Sequence, residues 1–491
     1  MTVPLVVYPF VLVAVGSVAL LSVRKSSNRA SRAPPEVYLS DDDIFNNPRT
    51  AYEDALKKHG SVISVRRKNR LEYIVDQSLT AEVLTNDATF GFEKGTLAML
   101  NLHPLLALPR SFMQDMDTIV QEHIISRLNN SVGRISPVFE EAAKALATPL
   151  QKGPKPTAVD VDTAVHHMMS KAMLLLILGE DFTSDRDIQN TERVAVAVAS
   201  LTGIFQNTSW WSRAFPTAWR FFIWMKVMAH DIPRYFLSSI GWKILRDLST
   251  VDGLYDTKDS DPVIKRFARR YVDTRTGKIS FWDRVWVLSI VLGLIFASVH
   301  QTAVVIVWVI FELAKRPEFA EGFRAETVYE TDTDGKLRLS HASTKNAERL
   351  DSFIREVMRT KGDTLSTVRQ TTVDAPLGGY IVPKGSFVIP FATLSHLSKE
   401  YHGEDAEDFV GERWVGTGRP AIMLSPGYWP FGLGRWACPG RALAVAEIKL
   451  FVMSLLAEAD LSLESGEYTV VDPLTVTSVA PVGTLLLHHR K

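Results

Sequence analysis

Between Val285 and Phe311 the chain runs almost entirely through apolar residues. A helix of that kind either crosses a bilayer or is buried along most of its length inside a large protein. Ser280-Phe-Trp-Asp283 reads as an N-terminal capping box and Pro317 as a stop, so the helix should reach about Lys315. A polar cluster at its centre, Ser298, His300, Gln301 and Thr302, separates the two options. Those groups are costly in lipid, whereas a buried helix can turn them onto a cavity. The expectation is a buried helix that borders an internal site.

A core of that size needs a long, apolar chain. The 491 residues are 46% hydrophobic, enough for one large domain or two. Formal charge is zero, which gives no bulk attraction to nucleic acid. There is no internal repeat, phosphate-binding glycine loop or dinucleotide fingerprint, so reducing power for any redox chemistry has to come from a partner. From Val3 to Val23 the chain is apolar and uncharged, and Arg24, Lys25, Arg29 and Arg32 follow at once. Basic residues after the apolar run indicate a signal anchor with the rest of the chain in the cytosol. On that side the glycosylation patterns at Asn129 and Asn207 stay unmodified. The domain reading is a transmembrane anchor at 1–24, a basic, Pro-rich hinge at 25–40 and one catalytic domain at 41–491.

Along that domain, Ser61–Val65 and Leu71–Val75 read as strands joined by a charged turn. Helical patterns cover Glu122–Leu146, Asp160–Leu178 and Arg193–Phe205. Strands return at Thr371–Val373, Ser386–Ile389 and Thr484–His488. The fold class is mainly α with small β-sheets (α+β). Trp210 to Trp224 mixes seven aromatics with Arg213 and Arg220. That composition suits either a membrane interface or an aromatic-rich helix pair in the core.

The chain holds a single cysteine, Cys438. It can form no internal disulfide and no multi-cysteine zinc site. Its surroundings are Phe431-Gly-Leu-Gly434-Arg435-Trp-Ala-Cys438-Pro439-Gly440, followed by a helical stretch from Arg441. Gly434 and Gly440 are expected to let backbone amides turn toward the sulfur, and the helix N-terminus favours thiolate over thiol. A sulfur held in this way is a metal ligand or a nucleophile. The competing reading is a cysteine that merely packs.

Phe-x-x-Gly-x-Arg-x-Cys-x-Gly resembles the haem-binding loop of the cytochrome P-450 family. Three further segments are similar to that family, in its order. Ala297-Ser-Val-His-Gln-Thr302 stands where the family's central helix reads Ala/Gly-Gly-x-Asp/Glu-Thr-Thr. Glu356 and Arg359 form a Glu-x-x-Arg pair, and Phe409-Val-Gly-Glu412-Arg413-Trp414 resembles the Pro-Glu-Arg-Phe/Trp element. The resemblance, strongest to membrane-bound fungal members of secondary metabolism, implies a P-450 fold with haem b ligated by Cys438. It implies propionate or haem contacts from Arg435, Arg369, His123, Arg127 and Phe431, with His123 and Arg127 on one helix face, although a solvated pair fits that spacing equally. Glu356, Arg359 and Arg413 are implied as a buried structural triad. His300 takes the place of the acid, and Gln301 replaces the first threonine, the family's usual oxygen-activating residue. Proton delivery then falls to Thr302 or to a water held by Gln301. Pocket walls are expected from Phe296, Ala297, Val299, Leu365, Val368, Val479 and Ala480.

The implied activity is oxidation of a lipophilic small molecule, a terpenoid or alkaloid intermediate, with O₂ and electrons from an NADPH-dependent reductase. The implied location is the endoplasmic reticulum membrane, single-pass, as a monomer. Gln301 keeps a second class open, a haem-thiolate enzyme catalysing oxidative coupling, rearrangement or dehydration without oxygen insertion. A third, a membrane-anchored carrier in which Cys438 packs, predicts no haem.

Overall fold

In the computed structural model the apolar run forms one helix, Phe281–Ala314. The structure describes residues 33–490 apart from 103–104, 107–109, 154, 203–208, 250–260 and 333. The anchor expected at 1–24 and the first part of the hinge lie outside the described residues. At the start of the central helix the Ser280 hydroxyl accepts from the Asp283 amide at 3.1 Å and donates to its carboxylate at 2.6 Å. Length and a mean hydropathy of 2.2 would let this helix cross a membrane. Instead the helices Val161–Ile177, Asp185–Ser200 and Arg441–Glu458 pack around it and bury most of its side chains. A side chain at Gly293 would meet the Phe112 ring at 2.5 Å, so this glycine lets the helix Phe112–His123 cross closely.

Two helices differ from the sequence reading. The pattern from Glu122 to Leu146 is broken into Phe112–His123, a 3-10 turn at Ile125–Arg127, and Leu128–Ala147. The cause is competition for carbonyls. The Arg266 guanidinium donates to the His123 carbonyl at 2.7 Å, and the Ser126 hydroxyl donates to that of Glu122 at 2.6 Å. The Arg127 amide turns to Ile124 instead, at 3.2 Å, which tightens the turn. The expected Arg193–Phe205 helix runs from Asp185 to Ser200, because Ser184 caps it through the Asp187 amide.

The sheets follow the strand reading closely. Val62–Arg67 and Arg70–Val75 pair antiparallel, with Ile63 opposite Ile74. Lys68 and Asn69 both have positive φ, 52° and 59°, as a two-residue type I′ hairpin turn demands. Phe387–Pro390 lies parallel to the second of these strands and antiparallel to Arg369–Thr371. That pairing carries Arg369 from the C-terminal half onto the N-terminal sheet. A second sheet joins Asp460–Leu463, Leu485–His488 and Thr157–Val159.

The aromatic segment forms the helices Trp210–Ala214 and Pro216–Lys226, continued by a π-helical stretch, Val227–Gly241. Trp219 is buried, but Trp210, Phe215, Phe221 and Phe222 are 60–71% exposed. The core reading therefore fails for most of this segment.

Candidate functional site

Cys438 closes its loop by donating its amide to the Phe431 carbonyl at 2.7 Å. Gly432 and Gly434 have φ of +78° and +77°, and a side chain at Gly434 would come within 3.1 Å of the Leu84 carbonyl. Gly440 has an ordinary φ of −84° and caps the helix Arg441–Glu458, and its amide turns toward the sulfur as expected. Solvent reaches Cys438, although the sulfur sits deep in a recess. Burial pushes the thiol above its ordinary value, while amide hydrogen bonds from Gly440 and Arg441 and the Arg441 charge oppose it. Desolvation prevails over the helix N-terminus here, contrary to the thiolate expectation. A bound cation is what would invert that balance.

The two arginines expected at an anionic rim belong to one stack. The Arg369 guanidinium lies 4.9 Å from the Phe92 ring, which stacks on Trp436 at 5.0 Å, and Arg435 lies 4.8 Å from Trp436. Phe92 and Trp436 were missed by motif reasoning, although Trp436 lies inside the cysteine loop. Arg435 pairs with Asp117 at 2.8 Å and is more than half exposed. Arg369 is fully buried; its Nη2 donates to the Leu84 carbonyl at 3.4 Å, and its Nε and Nη1 have no hydrogen-bond partner among the described residues. Burial lowers its pKa to about 10. On the helix Phe112–His123, Val120 approaches the cysteine loop at Gly440, and the buried Nε2 of His123 also lacks a hydrogen-bond partner among the described residues. Burial, with Arg266 nearby, lowers the His123 pKa. His123 and Arg127 do not share a helix face, because the α-helix ends at His123 and Arg127 belongs to the 3-10 turn that follows.

Behind the loop, Glu356 is fully buried and accepts from five donors. They are Arg359 Nε and Nη2 at 2.9 and 2.6 Å, the Val410 amide at 3.0 Å, Arg413 Nε at 3.1 Å and Trp414 Nε1 at 3.1 Å. Arg359 also donates to the carbonyls of His396, Ala406 and Asp408. Burial alone would raise the Glu356 carboxyl, but Arg359 and the other donors bring it below its ordinary value. This network joins the helix Glu348–Thr360 to the irregular segment that precedes the cysteine loop.

On the central helix, Ala297 and Gln301 are exposed amid buried and half-buried neighbours, one turn apart on one face. Gln301 Nε2 donates to the Thr477 carbonyl at 2.7 Å. Thr302 is buried, 8% exposed. His300 points elsewhere, with its Nδ1 3.3 Å from Nε2 of His166 on the helix Val161–Ile177. Burial and the neighbouring His166 lower the His300 pKa to about 4, whereas hydrogen bonding to Asp162 outweighs burial and raises that of His166. A cavity of about 730 Å³ lies on this side, lined by His166, His300, Val304, Val307, Val479 and Ala480 among others. Of the remaining expected wall residues, Phe296 and Ala297 are accessible. Val299, Leu365 and Val368 are buried and do not line this cavity.

A group with an iron centre and two carboxylates fits these residues. A lone sulfur in a recess matches the metal, and a buried guanidinium with two nitrogens unpaired among the described residues matches an anion. That combination defines a class, the cysteine-ligated haem proteins. A profile of the cytochrome P450 family matches residues 44–481, and the chain belongs to that family, which binds haem through a cysteine thiolate. Cytochrome P450 monooxygenase atmQ of Aspergillus flavus is 32% identical over 205 residues, 38% of each chain. Beta-amyrin 11-oxidase of Glycyrrhiza uralensis is 31% identical over 166 residues, 33% of each chain. Abscisic acid 8'-hydroxylase 2 of Oryza sativa subsp. indica is 28% identical over 198 residues, covering 40% of this chain and 38% of that one. These alignments thus span little more than a third of the curated relatives' length. The fold is shared along the chain with Retinoic acid bound cyanobacterial CYP120A1, at a TM-score of 0.67 and 17% identity, over 94% of this chain and all of that one.

Proposed function

We propose that this chain is a haem-thiolate monooxygenase that oxidises a lipophilic small molecule, a terpenoid or alkaloid intermediate of secondary metabolism. The observation that carries the reading is a recessed, solvent-reachable Cys438 together with the buried Arg369 guanidinium, whose Nε and Nη1 have no partner among the described residues. Cys438 would hold the haem iron, and Arg369, Arg435 and His123 would meet its carboxylates. When bound, haem supplies activation of O₂. The chain's own residues order the loop and exclude water through the apolar face of the central helix, and proton transfer would fall to Thr302 or to a water held by Gln301. Two relatives carry β-amyrin and abscisic acid in their names, both terpenoid in skeleton, which supports the substrate class. Electrons would come from an NADPH-dependent reductase docking near the cysteine loop. Residues 1–24 would anchor the domain 41–491, through the hinge 25–40, on the cytosolic face of the endoplasmic reticulum. The exposed Trp210, Phe215, Phe221 and Phe222 would rest on that membrane.

The test is the reduced, carbon monoxide-treated absorption spectrum of the protein and of Cys438→Ala. The wild type should give the red-shifted thiolate band and the variant should lose it; a wild type without the band refutes the proposal. One observation favours a second reading. The Gln301 amide is already committed to a main-chain carbonyl, so coupling or rearrangement without oxygen insertion stays in play. Turnover in ¹⁸O₂ separates the two by whether label enters the product.

A further inference from the structure

A cleft of about 470 Å³ opens to solvent between the helix Asp185–Ser200 and the π-helical stretch Val227–Gly241. The helix contributes Asp185, Arg186, Gln189, Asn190 and Arg193, which fall on one face of its first three turns. Across from them stand Arg234 and Tyr235 of the stretch. The cleft shares no residue with the cysteine loop or with the cavity beside His300.

Three guanidiniums here face a single carboxylate, Asp185. The other acids of the two elements are already engaged. Lys243 and Ser239 hold Asp187, His167 holds Glu192, and Lys226 and His230 hold Asp231. Among the described residues, Arg186, Arg193 and Arg234 make no ion pair and donate no side-chain hydrogen bond. Arg193 and Arg234 instead share one ring, 5.3 and 5.7 Å from the centre of Tyr235. That ring fixes two like charges in place without an anion between them.

A solvated basic face would account for the charge alone. Asn190 is a separate observation. It is only 7% exposed, it borders the cleft, and its side chain makes no hydrogen bond among the described residues. A buried amide without partners is destabilising, and an oxygen-rich group bound in the cleft would satisfy it.

The donors exceed what a carboxylate can use. One guanidinium pairs with both carboxylate oxygens, whereas a phosphate monoester presents three terminal oxygens and more than one negative charge. Three guanidiniums with the Gln189 and Asn190 amides match the larger anion, and the volume leaves room for whatever carries it. We propose that this cleft binds a phosphate group, on a small solute or a lipid head, clamped by Arg186, Arg193 and Arg234 over the Asn190 amide. Because the clamp takes arginines from both elements, an occupied cleft ties the helix to the π-helical stretch.

The test is calorimetric titration of the full-length protein in detergent with inorganic phosphate at constant ionic strength. Saturable binding is expected, with Kd below about 1 mM. Arg193→Gln and Arg234→Gln, both at exposed positions, should each weaken it about tenfold. Asn190→Asp, which adds a negative charge at the base of the cleft, should abolish it. Arg275→Gln, at an exposed arginine outside the cleft, should leave it unchanged. Hydrogen exchange in Val227–Gly241 should slow when phosphate is bound. A silent titration, with a preference for phosphatidic acid over phosphatidylcholine vesicles that Arg193→Gln weakens, assigns the phosphate to a lipid. No saturable response to either phosphate source overturns the proposal, and so does equal weakening by Arg275→Gln. Binding with unchanged exchange overturns the tie between the two elements.

Discussion

Replacing Glu356 by Gln tests whether the buried triad holds the cysteine loop's support together. The substitution keeps the shape and removes the charge. The Gln carbonyl can still accept from Arg359 Nη2, Val410 and Arg413, but its NH₂ then faces Arg359 Nε and Trp414 Nε1, which are both donors. Arg359, with a fully buried side chain, loses its counter-charge. Breaking a buried pair by removing one partner costs about 3–5 kcal/mol. Folded domains are stable by only about 5–15 kcal/mol, so the loss is a large share of the total. A surface control comes from Glu412, which pairs with Arg349 at 3.5 Å with both side chains about half exposed. Glu412→Gln should cost under about 1 kcal/mol. The assay is urea unfolding followed by tryptophan fluorescence, together with haem content per chain. Glu356→Gln should show a much lower midpoint and reduced haem retention. A midpoint equal to that of Glu412→Gln would refute the argument that this carboxylate is indispensable.

Other outcomes follow from single residues. Burial raises the Asp363 pKa from 3.8 to about 6, against the opposing Thr477 hydrogen bonds. The stability this group contributes is complete below about pH 4 and disappears as pH rises through about 6, a span worth about 3 kcal/mol. Asp363→Asn should flatten the unfolding midpoint across that window, and identical pH profiles would contradict the assignment. Oε1 of buried Glu447 has no hydrogen-bond partner among the described residues, and burial raises its pKa well above the ordinary value, which favours the uncharged form. Glu447→Gln should therefore shift stability by less than about 1 kcal/mol, and Glu447→Lys should prevent folding, as judged by soluble yield and circular dichroism. Gly434→Val should cost about 1–2 kcal/mol and lower haem occupancy, measured by the haem absorbance per chain, because φ is +77° and the Leu84 carbonyl is 3.1 Å from the new side chain.

Much of this architecture was readable in advance where one local rule acts alone. The central helix was bounded by Ser280 and Pro317, and the first hairpin by its alternating apolar residues. Glu356 and Arg359 could be paired from spacing, because three residues along a helix always lie on one side. Where a distant group intervenes, the local signal is insufficient. The Arg266 guanidinium captures the His123 carbonyl and breaks a helix that periodicity alone would continue. The stack of Arg369, Phe92, Trp436 and Arg435 draws on segments hundreds of positions apart in sequence, and no spacing rule encodes it. Gln301 could be singled out as unusual, but its partner Thr477 lies 176 residues away. The thiol's electrostatics went the other way for a related reason: the depth of the recess is a property of the whole fold.

Cys438 is the only sulfhydryl in 491 residues, and solvent reaches it. The chain therefore carries its own stoichiometric counter. A thiol-reactive dye can report at one place only, and a sulfur engaged by iron does not react. The fraction of molecules that take up label in a preparation equals the fraction lacking haem, without reference to an extinction coefficient for the pigment. The same residue offers a single attachment point for a spin or fluorescent probe inside the haem-free protein, with no background to engineer away.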